Sequence, residues 1–251
     1  MPEKFITMKT LITAFAVCIA FTSPAQNPLG PSKKSFEKKW ISNRSYQMTW
    51  YAGNDSSKTE MGKVSTRILV GKKELTVVTD VQMKMMKTPW TDSTIASLKT
   101  LAPVRHASYN MQRDMVLNFG KVVTGYYNDK IKKRYSLISD TAGTGFFDSN
   151  LYPVLLGWLK LSDDFKQEIS IYDYNPSAKM GVIKAFVKSV SSAAYQTEKN
   201  GTRKVWVVKV SDEIGKGENG NSTYYFDKKD RRLWKQDIET KGRRMMMKLV
   251  E

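Results

Sequence analysis

Residues 74–85 read ELTVVTDVQMKM, and this stretch decides the fold class. Apolar and polar side chains alternate along it. The apolar members are Leu75, Val77, Val81, Met83 and Met85, and the polar members are Glu74, Asp80, Gln82 and Lys84. Because successive side chains of a β-strand point to opposite faces of a sheet, a period of two predicts a strand with one buried and one solvent-facing side.

The same alternation recurs on both sides of this stretch. Its clearest same-face positions are Tyr46, Met48 and Trp50; Val64, Ile68 and Val70; Met115, Leu117 and Phe119; Ile183, Ala185 and Val187; and Trp234, Gln236 and Ile238. We therefore expect about ten to twelve strands joined by short turns rich in Gly, Asn and Asp. Helical patterns are nearly absent between them, which excludes parallel β-α-β units and predicts an antiparallel meander.

One segment has helical spacing. Its apolar side chains recur at intervals of three and four residues, at Leu151, Val154, Leu155, Trp158 and Leu159. Asp148 or Ser149 is a suitable N-cap for this helix. A solitary helix with an apolar face must lie on the sheet. We therefore predict a mainly β fold, a strongly curved antiparallel sheet (a half-barrel) with one amphipathic helix on its concave side and an apolar groove beside it.

The first 25 residues are typical of a secretory signal peptide. Lys4 and Lys9 give a positive start, residues 11–21 form an apolar core of the usual length, and residues 23–25 suit a cleavage site. The apolar run is shorter than the roughly 20 residues that span a bilayer, so no transmembrane segment is expected after cleavage. We predict an exported protein, located in the periplasm of a Gram-negative bacterium.

The rest of the chain is predicted to form a linker and one domain. Residues 26–39 contain prolines and a glycine but no apolar periodicity, which is typical of a polar linker. Strand patterns begin at Trp40 and continue to the C-terminus. Residues 40–251 are therefore predicted to be a single β half-barrel domain.

Catalytic and metal chemistry have few candidates in this sequence. Cys18 is the only cysteine and lies in the predicted signal peptide, and His106 is the only histidine. Disulfides, thiolate metal sites and paired-histidine metal sites are therefore excluded from the mature chain. No carboxylate at a suitable spacing accompanies His106, which we expect to be an isolated polar residue of a strand. The sequence predicts no enzyme, no catalytic residue and no metal site.

A glycine motif of the form G-x-G-x-x-G occupies residues 215–220. In dinucleotide-binding folds this motif holds a pyrophosphate at the N-terminus of a helix. Here residues 205–210 before the motif have a strand pattern, and residues 222–226 after it also have a strand pattern. Without a helix the motif is a hairpin loop, and we expect no cofactor.

The chain is strongly basic, with 41 Lys and Arg against 24 Asp and Glu and a formal net charge of +17. This balance favours anionic partners. Because export removes the chain from nucleic acid, we expect no nucleic-acid partner, and anionic lipid head groups or acidic glycans are the candidates. The alternative is a solvated Lys-rich β surface, which also protects exposed strand edges.

The groove beside the helix is the candidate ligand site. Thirteen methionines and many aromatic residues give the chain soft apolar surfaces that suit adaptable binding, although core packing explains most of them equally well. Burial of an acyl chain contributes about 0.8 kcal/mol per CH₂ group, so a groove for such a chain needs little polar specificity. Trp90, Trp158 and Phe186 are the predicted lining residues.

The order of elements resembles a family of bacterial periplasmic proteins of unknown function that is related in fold to the lipoprotein carriers LolA and LolB. The resemblance covers about residues 46–250 and rests on the run TLAPVR at residues 100–105, the helix after Phe147 and Asp148, and the hairpin at residues 225–232. It implies a half-barrel closed by a helix and a role in binding lipid or lipoprotein in the periplasm. It implies no catalytic residues.

Two functions follow from these patterns. The first is a non-enzymatic periplasmic protein that binds a lipid, an acyl chain or another hydrophobic ligand. The second is an envelope interaction module whose cavity is filled by its own side chains and which docks on a partner protein or an anionic surface. A packed interior would favour the second.

Overall fold

The computed structural model describes residues 27–214 and 220–251. The predicted signal peptide lies outside the described residues. The strands are β1 (Arg44–Gly53), β2 (Lys58–Val70), β3 (Glu74–Met83), β4 (Trp90–Ser97), β5 (Pro103–Tyr109), β6 (Arg113–Asn118), β7 (Val123–Asp129), β8 (Arg134–Asp140), β9 (Phe147–Asp148), β10 (Gln167–Asp173), β11 (Gly181–Gln196), β12 (Thr202–Asp212), β13 (Gly220–Asp227), β14 (Leu233–Thr240) and β15 (Arg243–Leu249). The helix α1 (Tyr152–Trp158) lies between β9 and β10, and a 3₁₀ helix (Lys38–Trp40) precedes β1.

All fifteen strands of the described residues belong to one sheet. It runs from β8 back through the chain to β1, continues to β15, and then runs back to β9. Every neighbouring pair is antiparallel except β9 with β10, and the edge strands β8 and β9 do not pair with each other, so the sheet is open. The prediction of a mainly β fold with a curved antiparallel sheet and one helix is confirmed. The sheet has more strands than expected because short or weakly alternating segments, such as the two residues of β9, also pair.

The prediction that parallel units are absent is wrong at one place. β9, α1 and β10 form a β-α-β unit in which Phe147 is the parallel partner of Ile171. Leu29 makes a further parallel bridge with Ile169. A crossover of the length of residues 149–166, with its helix, is long enough to return the chain in the same direction.

Strand β3 follows the predicted alternation through most of its length. Leu75 and Val77 are fully buried, as the pattern requires. The strand ends at Met83, however, and Met85 is 94% exposed in the following turn. The backbone N–H of Met86 donates to the carbonyl of Met83 at 3.0 Å, and this turn removes Met85 from the inner face.

Helix α1 packs into the concave side of the sheet. Leu151 just before it, Leu155 within it and Leu159 just after it are all at most 1% exposed. A Cβ atom on Gly157 would come within 3.0 Å of the Phe226 ring, so glycine allows the helix to lie close to the sheet.

The predicted N-cap of this helix is wrong. The cap position is occupied by Leu151, which makes no side-chain capping hydrogen bond, and not by Asp148 or Ser149. Both side chains have other partners. Asp148 contacts His106, and the Ser149 hydroxyl donates to Asp173 at 2.8 Å.

The segment predicted as a linker packs against the sheet and α1 over its described residues. The backbone N–H of Leu29 donates to the carbonyl of Glu168 at 2.7 Å, and that of Glu37 donates to the carbonyl of Trp158 at 2.8 Å. Phe36 is only 4% exposed and belongs to the main core cluster. These contacts make residues 27–39 part of the packed structure.

The glycine motif connects β12 to β13. Residues 215–219 lie outside the described residues, but the strand Gly220–Asp227 follows them directly. The prediction of strands on both sides of the motif is confirmed. Within residues 27–214 and 220–251, none of the helices has the length and apolar character needed to cross a membrane.

Replacement of Phe36 tests whether the N-terminal segment is part of the core. We expect Phe36→Ala to lower the free energy of unfolding by about 3–5 kcal/mol, because a buried aromatic side chain leaves a cavity when it is removed. The measurement is urea denaturation followed by circular dichroism. Lys34→Ala, an exposed neighbour, is the control and should change stability by less than about 0.5 kcal/mol. Equal effects of the two substitutions would contradict this assignment.

Candidate functional site

The structure does not bring the three predicted lining residues together. Trp158 is 4% exposed and packs in the main core cluster. Phe186 alternates with the buried residues of β11 and points to the opposite face, where the ammonium group of Lys188 lies 4.5 Å from its ring centroid. Trp90 is half-buried at the start of β4, with the Arg113 guanidinium 5.6 Å from its ring centroid.

The concave side is occupied by packed side chains. The main core cluster joins α1 to strands from both halves of the sheet, including β2, β3, β10, β11, β12 and β13. Its fully buried members include Leu155 and Leu156 of the helix and Ile169 and Ile171 of β10. α1 and its neighbours therefore fill the space in which the apolar groove was predicted.

A buried polar cluster lies beside this apolar core. His106 of β5 is 5% exposed, and its Nδ1 atom lies 2.9 Å from Oδ1 and 3.0 Å from Oδ2 of Asp148 in β9. The Thr94 hydroxyl of β4 donates to the same carboxylate. The Asn150 side-chain amide donates to the Thr94 hydroxyl oxygen at 3.0 Å. The cluster therefore joins strands β4 and β5 to the segment that precedes α1.

The other ring nitrogen of His106 faces a second carboxylate. Its Nε2 atom lies 3.9 Å from Oδ1 of Asp92, and both atoms are buried without a hydrogen-bond partner among the described residues. Ser108, the next inward-facing residue of β5, accepts hydrogen bonds from Trp90 at 3.2 Å and from Arg113 at 3.3 Å. The imidazole therefore sits between two acidic side chains, with one direct contact and one longer one.

These surroundings change the protonation of the cluster. Burial lowers the pKa of His106, but the negative charges of Asp148, Asp92 and Asp173 outweigh burial and raise this pKa above 6.5. Burial also raises the pKa of Asp173. A catalytic histidine that activates a nucleophile needs a hydroxyl or thiol at its free nitrogen. Here the free nitrogen faces Asp92, so the arrangement is suited to holding a proton between carboxylates.

Sequence reasoning missed this cluster because its members are far apart in the chain. Asp148 follows His106 by 42 residues, and its place before the apolar stripe of α1 is typical of a helix cap. One signal was present: Thr94 and His106 occupy inward-facing positions of their strands, where a polar residue requires a buried partner.

A second polar feature, which we call the lysine cleft, lies at one end of the sheet. It has a volume of about 700 Å³. Its lining residues are Lys33, Lys38, Lys72, Lys73, Lys99, Phe36, Ser97 and Leu98. All five lysines are exposed, and none forms a salt bridge within the described part of the chain. No acidic side chain of residues 27–214 and 220–251 lines the cleft.

Three chain segments hold the lysine cleft in shape. The turn after β2 contributes Lys72 and Lys73, and the turn after β4 contributes Leu98 and Lys99. The backbone N–H of Leu98 donates to the carbonyl of Lys73 at 2.9 Å, which joins the two turns. The third segment is fixed by buried Phe36. The lysines therefore extend from an ordered base.

The positive charge of the lysine cleft is not typical of the other clefts. A cleft of about 320 Å³ beside the turn after β1 contains Asp55, Lys235 and Asp237. Lys235 lies 2.7 Å from Asp55 and 3.0 Å from Asp237. Charges in that cleft neutralise one another, whereas those of the lysine cleft do not.

Titration of His106 tests the electrostatics of the buried cluster. In protein made without a histidine tag, its imidazole proton signals in NMR spectra should titrate with a midpoint above 6.5. Asp148→Asn should lower this midpoint, because the largest raising charge is removed, whereas Asp163→Asn at an exposed turn should not. A midpoint below 6.5 in the native chain would contradict the described geometry.

The same pKa shift makes stability depend on pH. The folded-state pKa of His106 is higher than the unfolded value of about 6.5, so this residue stabilises the fold below pH 6.5. Its contribution is lost as the pH rises through the folded-state pKa. Urea denaturation at a series of pH values should detect that loss in the native chain and not in His106→Gln.

Comparisons with known proteins place the chain in a family. No curated protein matches the chain. Among solved structures it is similar to a beta-barrel-like protein of domain of unknown function DUF1849 from Brucella abortus, at 9% sequence identity and a TM-score of 0.47, with 86% of this chain and 98% of that chain covered. Neither comparison gives a link to the lipoprotein carriers. Residues 45–248 match the family model described as protein of unknown function (DUF3108), and the chain therefore belongs to the DUF3108 family.

Proposed function

We propose that the protein is a non-enzymatic binding protein of the cell envelope that docks on anionic lipid head groups through the lysine cleft. The observation that carries this proposal is the set of five exposed lysines around an apolar floor, without a salt bridge among the described residues. The proposal includes export to the periplasm, as the first 25 residues predict.

The composition of the cleft supports a membrane surface as the partner. Each Lys or Arg near an anionic bilayer contributes about 1 kcal/mol to binding. Five lysines on one rim are therefore sufficient for useful affinity without a specific pocket. Leu98, half-buried between the lysines, offers an apolar contact for the boundary between head groups and acyl chains.

The packed concave side favours docking over carriage of an acyl chain. Binding of an acyl chain inside the half-barrel needs space between α1 and the sheet. Leu155 and Leu156 are fully buried there, and Trp158 is 4% exposed. A ligand could enter only if the helix moved away from the sheet.

The arrangement around His106 also supports a non-enzymatic role. Its free nitrogen faces Asp92 at 3.9 Å and not a nucleophile. Its other nitrogen is held by Asp148, and Thr94, His106 and Asp148 are all buried. We therefore assign the cluster to structure, and the binding function to the surface.

Vesicle binding tests this proposal. The purified protein should sediment with vesicles of phosphatidylcholine and phosphatidylglycerol and much less with phosphatidylcholine alone. The triple variant Lys72→Glu, Lys73→Glu, Lys99→Glu should bind the anionic vesicles at least about tenfold more weakly, because three favourable charges are reversed. Binding of the native chain should also weaken as salt is added.

A matched triple variant separates the cleft from net charge. Three exposed lysines away from the cleft serve as the control: Lys63 on β2, Lys87 in the turn after β3 and Lys241 in the turn after β14. These two turns lie at the end of the sheet opposite to the lysine cleft. None of the three lysines forms a salt bridge among the described residues. Their replacement by Glu gives the same net charge as the cleft variant and should weaken binding far less. Equal losses in the two variants would mean that no docking site exists. Because the native chain and both variants carry the same first 25 residues, any contribution of that segment is the same in all three proteins.

A further inference from the structure

One edge of the sheet is an unpaired strand with apolar side chains in solvent. β8 is the first strand of the sheet order and pairs only with β7. Within the described residues, no backbone group of Arg134–Asp140 makes a hydrogen bond on the side away from β7. Leu137 is 80% exposed and Tyr135 is 60% exposed on its outer face. Such an edge is a template for pairing with another strand.

We infer that β8 pairs with β8 of a second copy of this chain, antiparallel and with the two-fold axis at Leu137. Antiparallel self-pairing is the isologous contact expected of a symmetric dimer. In this register Leu137 of each copy lies opposite its counterpart, and Tyr135 lies opposite the partner's Ser139. The two open sheets then become one continuous sheet.

The charges at the ends of β8 select this arrangement. The strand begins with Arg134 and ends with Asp140, and both occupy the inner face. In the proposed register Arg134 of each copy lies opposite the partner's Asp140, and opposite charges across strands are favourable. In a parallel in-register pair, by contrast, Arg134 would lie opposite the partner's Arg134. Arg134 forms no salt bridge within the described residues and is therefore available.

The basic turn before β8 does not oppose this register. Lys132 and Lys133 precede the strand and lie beyond the partner's Asp140, opposite residues 141 and 142, which carry no charge. The lysine turns of the two copies are at opposite ends of the new strand pair. In the proposed register the positive charges of Lys132 and Lys133 in one copy are therefore far from those of the other copy.

The contact also covers aromatic surface. Tyr135 stacks on Tyr126 of β7 with ring centroids 5.6 Å apart, and Leu137 is the cross-strand partner of Tyr126. These side chains extend the apolar surface from the edge onto the outer face. Because the interface is a single strand pair with a small apolar patch, we expect a weak, concentration-dependent dimer.

Cysteine cross-linking tests both the partner and the register. In a Cys18→Ser background, Leu137→Cys should form an intermolecular disulfide under mild oxidation, because directly opposed residues of paired strands meet the geometry of a disulfide. Tyr135→Cys alone and Ser139→Cys alone should cross-link about tenfold more slowly or less, since their counterparts lie farther away. A mixture of the Tyr135→Cys and Ser139→Cys proteins should cross-link efficiently.

Several outcomes would overturn the inference. One is Leu137→Cys cross-linking no faster than Lys63→Cys, which lies on the exposed face of β2. Another is Tyr135→Cys alone cross-linking as fast as Leu137→Cys, which would indicate parallel, in-register pairing. A third is sedimentation of the purified native protein as a monomer at every concentration. The edge strand would then not pair with a second copy of the chain. Vesicle binding is a separate readout, so failure of the dimer leaves the proposed function standing.

Discussion

An open sheet has an inner apolar face that must be covered, and the rest of this structure depends on how that is done. A closed barrel covers its interior by its own curvature, but here β8 and β9 do not meet. A helix of seven residues supplies part of the cover. The remainder comes from the segment before β1, whose Phe36 is buried among the same core residues.

The short helix α1 can cover the inner face of the sheet because it lies very close to the strands. Gly157 allows α1 to come against Phe226, and the buried leucines on either side of it then reach both halves of the sheet. A helix so short has few backbone hydrogen bonds of its own and depends on packing for its stability. The same packing fills the space between α1 and the sheet with side chains of the protein itself.

Local patterns in the sequence predict which face of a strand is buried. They do not predict the position of a side chain that is set by contacts with residues far away in the chain. The alternation at Leu75 and Val77 was sufficient because each side chain is placed by its own strand. Phe36 stands alone in a polar segment, without neighbours to form a period, and its burial depends on contacts made by the folded chain. Asp148 resembles a cap in sequence, but its carboxylate is bound by His106 of β5.

The lysine cleft illustrates the same limit. Lys73 and Lys99 are separated in sequence by all of β3 and β4. They come together because these strands pair, with Glu74 opposite Ser97, and the Leu98 N–H then donates to the carbonyl of Lys73. The net charge of the chain predicts a class of anionic partner, but composition does not say which part of the surface carries the charge. The pairing of neighbouring strands determines which lysines lie on the same surface. That pairing is visible in the folded sheet and not in the composition of the chain.

The buried polar groups near His106 form hydrogen bonds that are directional, which the contacts of the apolar core are not. Contacts between leucine and valine side chains are non-directional, so they define the position of α1 along the sheet less sharply than hydrogen bonds do. A buried carboxylate without a partner costs several kcal/mol of stability. The carboxylate of Asp148 avoids this cost by its hydrogen bonds with His106 and Thr94, and it can form both only from one position of the chain. β9 is only two residues long and its ladder with β10 is weak. The hydrogen bonds of Asp148 therefore add to the contacts of Gly157 and Ser149 in fixing where the chain enters α1.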